Sequence, residues 1–319
     1  MSVLCDIVIP VWNQPELTRR CLESVEANTP ERVRLLLIDN GSEEGTREVL
    51  KHFKQTSVKP VEILRNEQNL GFIKAVNQGI RASTAPWVCL LNNDTVVHPG
   101  WLREMVEAAE SYPRIGLLNP SSNTLGSDPN KLSPGWVELP TAVGFCLLAR
   151  KSLFDQIGLL DERYGMGNFD DDDLSRRVRQ AGYICARACN AYVHHEEKAS
   201  FRNLPDWEKE FERNRAKFEQ KWGRRFRILW ARPQSEVTGE LANEGHWVFV
   251  MPAQGRNWRL KALWKLLAKR KKPFNLVISP DPTCARWVHS FGWFHRATLL
   301  THSDEKEILA RCRELSLSR

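Results

Sequence analysis

Four consecutive aspartates, Asp170-Asp171-Asp172-Asp173, are the segment of this sequence most loaded with chemistry. Adjacent carboxylates repel, so such a run is costly unless it is solvated, caps a helix or faces a cation. Part of it can cap a helix beginning near Leu174, where the helix dipole favours negative charge. One member can instead act as a general base, its proton affinity raised by its neighbours, and its titration then belongs to the cluster. A second cluster, Asn92-Asn93-Asp94-Thr95, directly follows an apolar run. Carboxamides around one carboxylate can hold Mg2+ or Mn2+ through Asp94 and leave positions open for diphosphate oxygens. The competing reading is a plain Asn/Asp turn. His194 and His195 stand much later; a neutral imidazole there can complete a metal site opposite Asp94, although a lone histidine pair is more often structural and the aspartates alone bring the metal reading forward. Asp39 ends another apolar run and precedes Asn40-Gly41. Its carboxylate can accept hydrogen bonds from a base or ribose, or it can close an Asx-turn. In Asn69-Leu70-Gly71-Phe72, the glycine permits close backbone approach and the start of a helix favours phosphate.

These residues need elements to position them, and the first half of the chain supplies a regular alternation. Strands are expected over Asp6–Val11, Val33–Asp39, Val61–Arg65 and Trp87–Asn92, and helices over Glu16–Ala27, Thr46–Lys54 and Gly71–Ala82. That rhythm predicts an α/β fold with a mainly parallel sheet flanked by helices. Arg34-Leu35-Leu36-Leu37-Ile38 is apolar on both faces, as a buried parallel strand is. Ligands of such sheets bind beyond the carboxyl ends of the strands. Three strands end there in polar clusters: Val11-Trp12-Asn13, Asp39-Asn40-Gly41-Ser42 and Asn92-Asn93-Asp94. A Pro/Ser/Asn/Gly-rich loop is expected over about 119–140, then a strand Ala142–Ala149 and a helix Lys151–Ile157. The helix after the aspartates stops at Gly182, a strand covers Asn190–Val193, and aromatic spacing predicts an amphipathic helix over 206–222. Residues 1–230 are therefore expected as one domain and 231–244 as a linker. Residues 245–319 are expected as a small three-strand α/β appendage: strands Trp247–Pro252, Phe274–Ser279 and Ala297–Thr301, and helices Trp258–Lys269, Pro282–Phe291 and Glu305–Leu315.

Of the 319 residues, 42% are hydrophobic and 27% charged, an ordinary globular balance that argues against disorder. No apolar run is long enough for a transmembrane helix, and the opening residues do not read as a signal peptide. A cytoplasmic protein is expected. The eight cysteines fit a reduced compartment. Cys5, Cys89 and Cys146 lie in strand-like runs, and Cys185 and Cys189 lack a second pair at zinc spacing. The net charge of +7 is unevenly placed: 25 Lys/Arg against 13 Asp/Glu from Lys198 onward, and 21 against 26 before it. The basic tail, densest at Lys269-Arg270-Lys271-Lys272, suits an anionic surface; a solvated helix end is the plainer reading.

Taken in order, these segments resemble the family 2 glycosyltransferases, whose catalytic domain has the GT-A fold. The likeness covers roughly residues 5–225. Ile7-Val8-Ile9-Pro10-Val11-Trp12-Asn13 looks like the family's first strand and turn, with Trp12 where Tyr or Phe is commoner. Ile38–Ser42 with Gly45-Thr46 is similar to its base-binding stretch, and Asn69–Phe72 through Asn77 to its next nucleotide-side segment. Leu91–Thr95 with Pro99-Gly100-Trp101 resembles the metal- and diphosphate-binding segment, with Asn92 in place of an aspartate. Gly144–Arg150 and Gly158–Arg163 look like the acceptor-side region. Asn168-Phe169-Asp170-Asp171-Asp172-Asp173-Leu174 resembles the Glu-Asp-x-Asp-Leu motif, with Asp170 replacing the usual Glu.

The resemblance implies an inverting transfer from a nucleoside-diphosphate-sugar to an acceptor hydroxyl, with Asp171 as the base. Asp94 and His195 would hold Mn2+ or Mg2+. Pro10, Asn13, Asp39, Asn69, Gly71, Asn92 and Asn93 would bind the donor, and Asp170 and Asp173 would lie on the acceptor side. It further implies a UDP- or dTDP-sugar donor and a sugar or lipid-linked glycan acceptor, in cell-surface polysaccharide or glycoconjugate synthesis. Peripheral contact with the inner face of an anionic membrane is expected, and no nucleic-acid partner. Two other readings compete: a degenerate transferase domain serving as an interaction module, and a nucleotidyltransferase. The latter lacks its glycine-rich loop at Pro10–Gln14. Processive synthases are disfavoured because Thr283-Cys284-Ala285-Arg286-Trp287 only partly echoes their Gln-x-x-Arg-Trp motif.

Overall fold

A computed structural model describes residues 3–196, 207–251, 274–279, 297–301 and 304–317 of the chain. The chain divides into two compact units, Met1–Lys217 and Phe218–Arg319.

The first unit is built on a nine-stranded sheet. Strands β1 (Cys5–Val11), β2 (Val33–Asn40), β3 (Val61–Asn66) and β4 (Trp87–Leu91) form its parallel half in the order β3-β2-β1-β4. Strands β1, β2 and β4 are mostly apolar because both faces are covered: Ile7, Ile9, Leu35, Leu37, Cys89 and Leu91 are fully buried, whereas edge strand β3 is only partly buried. Helices α1 (Pro15–Asn28), α2 (Glu44–Thr56) and α3 (Phe72–Ala82) make the crossovers, each within a few residues of its expected span. Asp6 is a fully buried charge in this half. Asp6 accepts two bonds from Arg34 (both 2.9 Å) and two more from the amides of Thr84 (2.7 Å) and Ala85 (2.9 Å). Burial pushes the Asp6 carboxyl up, yet these partners outweigh it and hold the group below its usual range.

The other half is mixed, running on from β4 as β8-β6-β9-β5, with β7 paired to β9. These strands are β5 (Thr95–Val97), β6 (Ile115–Ser121), β7 (Trp136–Leu139), β8 (Cys146–Arg150) and β9 (Ile184–His195). Helix α4 (Trp101–Ser111), which the sequence reading did not assign, buries Trp101, Leu102 and Met105 against it. Helix α5 (Lys151–Ile157) lies where expected, whereas α6 (Asp170–Gln180) starts one turn before the expected beginning near Leu174, so the aspartates are part of the helix rather than a cap ahead of it. The expected loop over 119–140 needs correction. β6 runs on to Ser121, because buried Asn119 satisfies its carboxamide on the carbonyls of Val143 (2.7 Å) and Cys146 (2.6 Å), and β7 occupies Trp136–Leu139. The strand expected from Ala142 begins at Cys146, and the one expected over Asn190–Val193 is the long β9.

The second unit holds a four-stranded parallel sheet, β10 (Arg227–Trp230), β11 (Trp247–Val250), β12 (Leu276–Ile278) and β13 (Thr298–Leu300), in the order β11-β10-β12-β13. The expected division therefore shifts. The second unit begins at Phe218 rather than 245, and the expected linker 231–244 contains helix Glu236–Asn243. Its first strand, Arg-Ile-Leu-Trp, is too short to stand out by periodicity and is fixed by pairing on both sides. Helix Glu305–Leu317 packs Ile308, Leu309 and Cys312 into this core. The helices expected over Trp258–Lys269 and Pro282–Phe291, the basic run Lys269–Lys272 and the Thr283–Trp287 segment lie outside the described residues. Among the described residues, no helix is long and apolar enough to cross a membrane. The seven described cysteines are free and buried.

Candidate active site

The carboxyl ends of β1, β2 and β4 open onto one cleft of about 150 Å³, lined by Pro10, Val11, Trp12, Asn40, Asn69, Phe72, Asn92, Asn93, Asp94, Met166 and His195. Six of the expected site residues therefore meet: Pro10, Asn69, Asn92, Asn93, Asp94 and His195. None of the lining residues is Lys or Arg, so an anionic ligand here must be met by neutral amide donors, the His195 imidazole or a bound cation.

Asp94 and His195, far apart in sequence, are joined by β5 and β9. These strands run antiparallel with Thr95 opposite His195, and the Glu196 amide donates to the Asp94 carbonyl (3.0 Å). The His195 ring stacks on Phe145 (centroids 5.1 Å apart, 15° between planes), and its Nε2 lies 3.2 Å from Asp94 Oδ1. That approach lacks hydrogen-bond alignment, and Asp94 Oδ1 is buried without a donor. An unsatisfied buried anionic oxygen costs more than about 1–3 kcal/mol, which a cation relieves. Two adjacent ligands of one octahedral ion at ~2.1 Å stand about 3 Å apart, close to the spacing seen. The pair therefore fits a divalent cation that takes its other ligands from water and phosphate. His194 points elsewhere, its Nε2 3.9 Å from Glu196.

The nucleotide-side residues divide. Asn40, which the sequence reading did not single out as a site residue, sits in the cleft wall and donates to Asn69 Oδ1 (2.8 Å). Its own Oδ1 accepts from the Leu70 amide (3.1 Å) and Asn66 (3.1 Å). Its signal was its place one residue past Asp39 at a strand end. Gly41 lets this turn meet the 68–69 backbone: φ is +80° and a Cβ would stand 2.5 Å from the Gln68 carbonyl carbon. Gly71, with φ +91°, approaches Gly165 and Met166 less closely, a Cβ meeting the Gly165 oxygen at 3.1 Å. Asp39 does not line the cleft. It is buried, accepts the Ser42 amide through Oδ1 (2.9 Å) in an Asx-turn, and pairs with Arg65 through Oδ2. Asn13 is likewise engaged, its Oδ1 accepting the Glu43 amide (2.8 Å) and its own amide donating to Ser42 Oγ (3.0 Å). Asn77 is buried beneath the site, tied to both backbone groups of Leu160.

The aspartate run forms the first turn of α6, and its members differ. Asp173 is fully buried and bonded to Arg177 Nε (2.9 Å), which removes its carboxylate from the surface expected on the acceptor side. Asp171 accepts from the Gly144 amide (3.2 Å) and the Asp172 amide (2.8 Å). Burial, then Asp170 and Asp172, push its carboxyl well above the usual range. Burial, with Asp172 and Asp173, pushes Asp170 up to about 6. Asp171 does not line the cleft, but the Gly144 that it holds precedes Phe145, which stacks on His195 and whose carbonyl accepts the Asn92 amide (2.9 Å). Among the described residues, the non-glycine residues with left-handed backbone come in two pairs, Asn13-Gln14 after β1 and Asn168-Phe169 before α6. Strained backbone of this kind gathers at functional sites.

Residues 6–120 match the glycosyl transferase family 2 model. The chain carries a family 2 glycosyltransferase domain. It is 29% identical over 248 residues to the N-acetylglucosaminyl-diphospho-decaprenol L-rhamnosyltransferase of Mycobacterium tuberculosis, a match covering 63% of this chain and 78% of that protein. It is 33% identical over 102 residues to Glycosyltransferase AglE of Haloferax volcanii, covering 31% of this chain and 33% of that one. Among solved structures it resembles the Pyrobaculum calidifontis mannosyltransferase PcManGT in complex with GDP-Man and Mn2+ (TM-score 0.57, 13% identity, 96% of this chain and 83% of that chain). It also resembles GalNAc-T7 with UDP, GalNAc and Mn2+ (TM-score 0.56, 18% identity, 66% and 47%). The fold is that of GT-A glycosyltransferases, and the chain is an enzyme of the glycosyltransferase class.

Proposed function

We propose that this glycosyltransferase moves a sugar from a nucleoside-diphosphate donor to an acceptor hydroxyl by a single inverting displacement. The observation that carries the reading is the donorless, buried Asp94 Oδ1 beside His195 Nε2 in a cleft without Lys or Arg. Asp94 and His195 hold Mn2+ or Mg2+, whose charge neutralises the departing diphosphate. Asn69, Asn92 and Asn93 present carboxamides to the donor from the cleft wall, with Pro10 and Gly71 shaping its backbone. Asp39 and Asn13 act behind them by holding the Asn40-Gly41-Ser42 turn. Asp171 takes the proton of the acceptor hydroxyl as it attacks, and its raised proton affinity suits a general base. Asp170 tunes that base and Asp173 anchors its helix. Holding donor and acceptor together supplies much of the rate gain.

A relative supports a narrower reading of the substrates. The mycobacterial protein's name gives a lipid-linked diphospho-sugar acceptor and an L-rhamnosyl product. We assign this chain a UDP- or dTDP-sugar donor, a lipid-linked glycan acceptor, and work at an anionic membrane surface reached by its basic second unit. A thermal-shift series with UDP, dTDP, GDP and CMP, each with and without Mn2+ or Mg2+, tests the site, since a ligand of the native state raises stability by linkage. One nucleotide should shift the parent chain and Asp171→Asn only when metal is present, and should leave Asp94→Ala unmoved. No shift with any nucleotide at millimolar concentration would sink the reading.

A further inference from the structure

We propose that Asn123 is the positioning residue that fixes His195 for metal binding, an inference that rests on the metal reading of Asp94 and His195 above. Asn123 lies just past the segment that matches the family model, in the 3-10 turn Asn123–Leu125. Its carboxamide bonds both backbone groups of one residue: the His195 amide donates to Oδ1 (2.9 Å), and Nδ2 donates to the His195 carbonyl (2.9 Å). In an antiparallel sheet that double exchange is made by a residue of the neighbouring strand. Strand β6, which runs parallel to β9 and so bonds two different residues rather than exchanging both bonds with one, no longer lines this edge at His195. Its pairing with β9 slips after Pro120 and ends with Ser121 opposite Tyr192. The Asn123 side chain takes the place of the missing strand.

The orientation of the carboxamide is itself set. Ser122 is fully buried and its hydroxyl donates to Asn123 Oδ1 (3.0 Å), so that oxygen faces two donors and the nitrogen faces the carbonyl. His195 is thus held on three sides. Asn123 grips one edge of its backbone, β5 lies along the other edge and carries Asp94 one residue before its start, and Phe145 stacks on the ring. The grip of Asn123 fixes where β9 ends, and hence how far Nε2 stands from Asp94. Partners one step removed from a metal ligand set its orientation, and their loss typically weakens metal binding by about 10–100-fold.

Titration of the purified full chain with Mn2+ alone, following the free ion by electron paramagnetic resonance, tests this. Asn123→Ala should raise the dissociation constant about tenfold, and Asn123→Asp, which keeps an acceptor for the His195 amide but repels its carbonyl, should also weaken binding. His195→Ala should weaken it at least as much. The deciding measurement is the double variant: if Asn123 acts through His195, adding Asn123→Ala to His195→Ala changes nothing further. A general loss of structure would instead lower affinity in both backgrounds, and that result overturns the proposal. Where Asn123→Ala does not fold by circular dichroism, Asn123→Gln serves in its place, keeping the carboxamide but displacing it by one methylene. An unchanged affinity in Asn123→Ala while His195→Ala binds weakly defeats this inference alone. An unchanged affinity in His195→Ala, or a parent chain that does not take up Mn2+, defeats the metal reading together with it.

Discussion

At the scale of single residues, four adjacent aspartates hold three different jobs because their surroundings differ. Asp173 is neutralised by Arg177, Asp171 faces the Gly144 amide, and Asp170 is buried with the other carboxylates near it. Asp170 yields a pH-dependent prediction. Its folded pKa of about 6 lies above its ordinary 3.8, so between those values the folded state binds more protons than the unfolded one. Stability carried by this group is therefore complete at the acid end and falls as pH rises from about 3.8 to 6. Asp170→Asn, which cannot ionise, should gain in Tm over the parent as pH rises through that window. A difference in Tm that stays constant from pH 4 to pH 7 would show that Asp170 is not held neutral. Asp171 shows the same preference more strongly, but its substitution is read in transfer chemistry rather than in stability.

At the scale of elements, the turns that close the cleft leave little freedom. Gly41 and Gly45 lie four residues apart and should respond to alanine with opposite signs. A Cβ at Gly41 would collide with the Gln68 backbone at a positive φ, whereas at Gly45, inside α2, it meets nothing within 4 Å. Urea unfolding should show Gly41→Ala destabilised by more than about 1 kcal/mol and Gly45→Ala stabilised by roughly 0.5–1 kcal/mol. The parallel half of the sheet was legible beforehand because each β-α step repeats the same apolar run and polar stop. The mixed half was not. Asn119-Pro120-Ser121 has the composition of a loop and becomes strand only because Asn119 finds two carbonyls across the sheet. In the site, Asp94 and His195 were named from residue chemistry and family likeness together. Asn40 and Asn123 were missed because their work depends on tertiary neighbours: a second carboxamide for one, a bare strand edge for the other. Asp39 had two readings, and the structure displays the Asx-turn, with Arg65 on the remaining oxygen.

At the scale of the whole molecule, every residue lining the cleft lies between Pro10 and His195, inside the first unit. A chain ending at Trp222, the last residue of the helix Trp207–Trp222, should thus keep the metal-dependent nucleotide shift of the full chain. Loss of that shift in a truncated chain with unchanged circular dichroism would place part of the binding function in residues 223–319. The pairing of three-residue β5 with the far end of β9 has a consequence for biogenesis. During synthesis, the stretch bearing Pro10, Asn69 and Asp94 leaves the ribosome well before His195 has been made. The nascent chain can wind its parallel half early, from local β-α steps, while the Asp94 carboxylate still lacks its imidazole. Closing that long loop is a late, entropically costly event, and it brings the imidazole to a cleft whose other walls the half-sheet has already set.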